Sequence, residues 1–330
     1  MRKIDDLCLY IYTIYMLILA HLIYVHPLFV TVREGTNVMK ESMKTFSDPD
    51  GSEKKGDIYT DSTEEALVQL KDTIEKTKAK IRKEKKKAKW NFKSSPHKEF
   101  NKTLDDLFMC FIVWAKNKNS GKYNISKAFR RLETYAEWME ESTEDLTEPS
   151  LSATSVKDAL DALAMRVSID KEGFFIWWFD LTALDKQALR NDLKPEESLR
   201  AFVWYSHYIM FNKTAQEKGM VIVENCGKIG FFEIFNIFPM KLSVKLDRLT
   251  IGVLPVKCNK LLITEGPRWM KMFMKFMGMF VSKKMMQRIV FVKESKEVEE
   301  LLGHECIPKN FGNLEGSLES DEVQKEYFST

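Results

Sequence analysis

Lys218-Gly219-Met220-Val221-Ile222-Val223-Glu224-Asn225 is the stretch on which the fold turns. Four consecutive apolar residues, Met220 to Val223, follow a glycine and run into an acid. No polar residue alternates with them, so the strand they predict needs cover on both faces, the condition of a strand inside a parallel sheet. The same pattern extends in both directions. Upstream, Phe174 to Phe179 is a second apolar run with two adjacent tryptophans, and Pro195 leads a helix on which Leu199, Phe202, Val203, Ser206, Ile209 and Met210 share a face. Downstream, Leu261 to Ile263 and Ile289 to Val292 read as two further strands, each preceded by a helical stretch. Strands alternating with helices predict an α/β fold with a mostly parallel sheet and helical crossovers.

Before this region the periodicity is helical. Leu104, Leu107, Phe108, Phe111 and Ile112 form one stripe, and Ala128, Leu132, Tyr135, Ala136 and Met139 another, with Asn119, Gly121 and Asn124 between them. Pro149 and its Ser/Thr-rich surroundings close this small all-α unit. Nine Lys or Arg and one Glu between Lys76 and Lys89 read as a solvated helix face or as a contact for an acidic membrane surface. Residues 33–60, rich in Ser, Asp, Gly, Lys and Thr, read as linker. The expected divisions are 1–60, a hydrophobic segment and linker; 61–149, a helical domain; 150–315, the α/β domain; and 316–330, a tail.

The 330 residues leave room for one large or two ordinary domains. Lys plus Arg at 51 against Asp plus Glu at 48 is too near balance for a general nucleic-acid binder. Five scattered cysteines with no CxxC pair argue for a reducing compartment and against a structural zinc site. Leu7 to Val32 contains no Asp, Glu, Lys or Arg. It reads either as a single membrane anchor or as an upstream extension ahead of a start at Met39 or Met43, and the sequence leaves both open.

The helix after Pro267 carries Trp269, Met272, Phe273, Phe276 and Phe280 at helical spacing, with Met270, Met274, Met277 and Met279 around the rest. Such a helix is either buried core or an adaptable wall for a lipid. The order of the motifs bears on that choice. The Gly219 strand, Leu254-Pro255, Leu261-Leu262-Ile263-Thr264-Glu265-Gly266-Pro267, the aromatic helix, and Cys306-Ile307-Pro308-Lys309-Asn310-Phe311-Gly312-Asn313 follow one another as in the CRAL-TRIO family, which the chain resembles over roughly residues 62 to 315. Upstream, Phe111 to Lys116 and Ile125 to Leu132 resemble the helical N-terminal module of that family. The likeness is nearest to its tocopherol-transfer and retinaldehyde-binding branch.

The resemblance implies a hydrophobic lipid of the retinoid, tocopherol or phospholipid class, enclosed between a sheet floor and a mobile gate helix, Arg268 to Phe280. The ligand-binding residues it implies are Ile176, Trp178, Val221, Val223, Leu261 and Ile263 on the floor, Phe202, Ser206 and Phe235 beside it, and Trp269, Phe273, Phe276 and Phe280 on the gate. Lys283, Lys284 and Arg288 are similar in position to residues that touch an anionic membrane surface or phosphoinositide, although Met286 replaces one basic position. Val256 and Gly278 replace the acid and lysine of phosphatidylinositol-binding members, which disfavours that lipid as cargo. The implied protein is a cytoplasmic, membrane-associated monomer that transfers lipid between membranes without a cofactor. A membrane-tethered scaffold with a filled pocket is the alternative. Catalysis is not expected: HExxH, G-x-S-x-G and GxxxxGK[ST] are all missing, and Ser206 and His207, adjacent on a helix, diverge by about 100°. His304-Glu305-Cys306 reads as an exposed loop.

Overall fold

A computed structural model describes residues 56–83, 92, 95–147, 150–227, 229–270, 286–292, 295–321 and 323–328. All of these belong to one compact unit, Ser42–Thr330. The helical part comprises α1 (Thr63–Lys83), α2 (Leu104–Trp114), α3 (Ile125–Glu141) and the short α4 (Thr143–Thr147). Ala66, Leu70 and Ile74 of α1 recur every fourth residue and are buried against α2 and α3. Thr103 starts α2 with a reciprocal cap. Its backbone N–H donates to Asp106 Oδ2 at 2.7 Å while its hydroxyl accepts from Asp106 N at 3.2 Å. Asn124 starts α3 by accepting from Lys127 N at 2.8 Å.

The segment read as linker is ordered at its end. β1 (Tyr59–Thr60) pairs antiparallel with β2 (Tyr123–Asn124), and the buried Asp57 carboxylate binds Arg130 Nη1 at 2.9 Å and Asn124 Nδ2 at 2.9 Å. Composition alone hid this, because one ion pair and two strand residues need no apolar run.

After α5 (Ala153–Leu163), the sheet is built from β3 (Arg166–Ile169), β4 (Phe175–Asp180), β5 (Met220–Asn225), β6 (Cys258–Thr264) and β7 (Ile289–Val292), in that spatial order. β3 is antiparallel to β4, and the other pairings are parallel. The expected α/β architecture is present, with β3 and α5 added to it. Helices α6 (Pro195–Phe211) and α7 (Lys213–Lys218) connect β4 to β5, and α8 (Phe231–Ile237) and α9 (Met240–Asp247) connect β5 to β6. From β4 to β7 the strand order never reverses. Parallel crossovers are right-handed, so the described crossovers, β4 to β5 and β5 to β6, lie on one face of the sheet, and the segment after β7 covers the opposite face. That cover is α10 (Ser295–Leu302) and the segment through Leu314, whose Val298, Leu302, Cys306, Ile307, Phe311 and Leu314 pack there.

Two glycines are required by the backbone. Gly219 has φ +85°, and a Cβ there would lie 2.5 Å from the Lys257 carbonyl oxygen. Gly312 has φ +54°, and its Cβ would meet the Asn225 side chain at 2.5 Å. Gly219→Ala is therefore expected to destabilise the chain by about 1–3 kcal/mol through strain and backbone collision, measured by urea denaturation; an unchanged midpoint would contradict this.

The segment expected as a tail packs against the rest of the chain at several described residues. Leu318 bridges to Pro308, Asp321 Oδ2 accepts from Val167 N on the β3 edge at 2.7 Å, and Tyr327 packs edge-on against Trp204 at 5.1 Å. No helix among the described residues is long and apolar enough to cross a membrane, and Leu7 to Val32 lies outside them.

Candidate functional site

On the crossover face, strand register aligns Trp177, Ile222, Leu261 and Ile289 in one row and Phe179, Glu224, Ile263 and Phe291 in the next. Helix α6 lies over these rows. The Phe202 ring centre is 6.1 Å from Trp177, 5.8 Å from Phe179 and 6.3 Å from Phe238, and Tyr205 stacks on Trp177 at 6.0 Å. Pro195 opens α6, where its missing N–H costs nothing, and the Glu197 carboxylate accepts from Lys194 N at 2.7 Å.

Three polar groups sit within this apolar layer. Ser206, one turn after Phe202, is fully buried, and its hydroxyl finds no hydrogen-bond partner among the described residues. The indole N–H of Trp177 is likewise buried and unpartnered there. An unsatisfied buried polar group costs about 1–3 kcal/mol, so both are candidates for contact with a bound molecule. The third group is Glu224, whose carboxyl burial pushes up to about 7, opposed by a hydrogen bond with Cys226. The Cys226 sulfur also lies 3.5 Å from Met270 Sδ.

The first turn of the expected gate is helical at 268–270. Trp269 Nε1 donates to the Ile229 carbonyl at 3.2 Å, which ties this turn to the loop after β5. Phe273, Phe276 and Phe280 lie outside the described residues, as do Lys283 and Lys284. The Arg288 carbonyl accepts from Leu261 N at 2.9 Å, placing Arg288 just before β7. Phe235 lies on α8.

The structure divides the expected floor residues between the two faces. Leu261 and Ile263 share the crossover face with Phe202, Ser206 and Trp269. Ile176, Trp178, Val221 and Val223 belong to the other face, packed with α10 and the closing segment. These four therefore point away from Phe202 and Ser206, because successive side chains along a strand point to opposite faces. The residues of β4 and β5 that face α6 are Trp177, Phe179, Ile222 and Glu224. Glu224 was the available signal: an acid ending an apolar strand marks one parity, and Ile222 shares it.

Two cavities, of about 160 and 200 Å³, lie away from the layer between α6 and the sheet. The first is under Asp321 at the β3 edge, and the second is on the opposite face beside Val221, Leu262 and Leu301. The tempting cluster at 304–306 comes apart. Cys306 turns into the core while His304 and Glu305 stay exposed, and no metal-binding group of His, Cys, Asp and Glu occurs among the described residues. Ser206 and His207 also diverge, since His207 bonds to Tyr135 of α3.

The CRAL/TRIO domain family model matches residues 163–312. Among solved structures, the crystal structure of Sfh5 is similar, with 12% identity and a TM-score of 0.45, covering 84% of this chain and 94% of that one. No curated protein matches. The match begins at the end of α5, runs through every strand of the sheet and ends at Gly312 in the closing segment. The α/β part of this chain, residues 163–312, is a CRAL/TRIO domain, of a family that binds and transfers lipids.

Proposed function

We propose that the chain binds one small hydrophobic lipid between the crossover face of the sheet and a gate that begins at Arg268, and carries it between membranes. The observation that carries this reading is an apolar layer holding three polar groups, Ser206, Trp177 and Glu224, of which two have no partner among the described residues. Moving hydrocarbon from water into such a layer is worth about 0.8 kcal/mol per CH₂. The polar groups suit a lipid with one uncharged hydrogen-bonding end, as in the retinoid and tocopherol classes. A phospholipid with a net negative head is disfavoured beside Glu224. Lys283, Lys284 and Arg288 would meet an anionic leaflet, each worth about 1 kcal/mol near the surface.

Native mass spectrometry with lipid extraction, on the full chain from a lipid-containing host, tests the proposal. One stoichiometric hydrophobic molecule is expected, lost when Ile222 is replaced by Asp. A second reading is favoured by the aromatic packing of Trp177, Phe179, Phe202 and Phe238, which fills the same layer with side chains. On that reading the domain is a scaffold, and the purified protein is folded and empty.

Glu224 also sets a pH dependence. Its ordinary value is 4.5 and its folded value about 7, so between these the folded chain keeps a proton that the unfolded chain releases. Its own contribution to stability therefore falls as pH rises through that window and levels off above it. The difference in denaturation midpoint between Glu224→Gln and the wild type, measured at pH 5, 6, 7 and 8, should shift in favour of the variant as pH rises; a pH-independent difference would contradict the assignment to Glu224.

A further inference from the structure

Where the helical part meets α6, four buried groups form a continuous polar chain. Ser95 Oγ lies 2.7 Å from the Tyr135 hydroxyl, which lies 2.8 Å from His207 Nε2, and His207 Nδ1 lies 2.6 Å from the Val203 carbonyl oxygen. Tyr135 and His207 are wholly buried, and Ser95 is nearly so. A carbonyl can only accept, so Nδ1 carries the imidazole proton and Nε2 is the acceptor. Tyr135 therefore donates to Nε2, and Ser95 donates to Tyr135. The chain has one polarity with a neutral His207, and it joins α3 and the turn before Pro96–Phe100 to the CRAL/TRIO domain.

A proton on His207 would turn Nε2 into a donor and place a charge in this dry contact. The titratable groups facing it are Tyr135 from α3 and His97 from the Pro96–Phe100 turn, with Cys110 of α2 beside Tyr135. None of these three is an anion at neutral pH, since burial pushes the tyrosine and the thiol upward. Lys98 acts on His97, and Asp106 and Lys102 act with opposite signs on Cys110. Burial lowers both histidines, His207 to about 4.

We propose that this relay is a proton-sensitive joint: mild acidification loosens the helical part from the CRAL/TRIO domain through His207 while the sheet stays folded. The inference does not depend on the nature of the bound lipid. Opening that exposes His207 restores its ordinary value of 6.5, so below that pH each unit favours the open form tenfold, giving about 30-fold by pH 5.

Amide hydrogen exchange on the full chain, corrected for intrinsic rates and compared at pH 7.5 and pH 5, tests this. Segments 95–100, 131–139 and 203–211 should exchange about 30-fold faster at pH 5, with β5 unchanged, and His207→Gln should remove the increase. No increase in the wild type, an equal increase in β5, or an increase that survives in His207→Gln would each overturn the proposal. A reading that needs no variant is the ring-nitrogen NMR spectrum of His207 in the wild type. The proposal requires a neutral ring protonated on Nδ1 at pH 7, and a midpoint near 6.5 in the folded chain contradicts it.

Discussion

Asp180→Ala is expected to lower stability by about 3–5 kcal/mol, because the carboxylate gathers four donors where β4 and β5 end. Thr182 donates to Oδ1 through its N–H at 2.8 Å and its hydroxyl at 2.6 Å, and Asn225 Nδ2 donates to the same oxygen at 2.8 Å. Gly312 N donates to Oδ2 at 2.7 Å from 132 residues away. Alanine would leave the Asn225 and Gly312 donors without this acceptor in a site where Asp180 itself is 3% exposed, while the exposed Thr182 can turn to water. Urea denaturation of the variant measures the loss, and hydrogen exchange over 306–314 should rise with it, because Gly312 secures the closing segment. Asp180→Asn, which keeps one acceptor oxygen, should lose less. A loss under about 1 kcal/mol in the alanine variant would mean that the donors find other partners.

Trp178→Ala should cost a similar amount, about 3–5 kcal/mol for a large aromatic removed from a packed core. Trp178 is fully buried, meets Phe311 edge-on at 4.9 Å, and donates its indole N–H to Ser168 Oγ at 2.7 Å. The position also separates the two faces of the sheet. Trp178 points to the face closed by α10 and the segment through Leu314, so Trp178→Phe, which keeps most of the volume, should leave lipid content unchanged. Its neighbour Trp177 points into the layer under α6, and Trp177→Phe should weaken lipid retention while costing less stability. Denaturation and lipid extraction on the two variants read these effects separately; lipid lost from Trp178→Phe and kept in Trp177→Phe would reverse the assignment of the faces.

The sequence carried the strands of the α/β part well because each is a short apolar run between turn residues, and the helix after Pro195 because its apolar face repeats every three to four residues. It did not carry the facing of the strands. Phe175, Ile176, Trp177 and Trp178 are all buried because both faces of the sheet are covered, so hydrophobicity does not alternate along β4. Within the apolar runs, Glu224 on one face and Lys260 on the other help to break the symmetry. β3 was missed because Arg166 and Ser168 dilute a four-residue edge strand. α5 was missed because its cap, Ser152 with Ser155, sits in a stretch that composition reads as loop. Its Val156, Ala159, Leu160 and Leu163 nonetheless keep helical spacing. The aromatic helix after Pro267 was the strongest functional signal in the sequence, and only its first turn is among the described residues.

Photocrosslinking reads out whether lipid occupies the crossover face. The full chain would be loaded with a diazirine-bearing lipid analogue, irradiated, digested and mapped by mass spectrometry. Adducts are predicted on Phe179, Phe202, Ile222, Leu261 or Phe291, which share the layer under α6. Adducts confined to Val221, Leu262, Leu301 or Leu302, beside the cavity on the opposite face, would contradict the account.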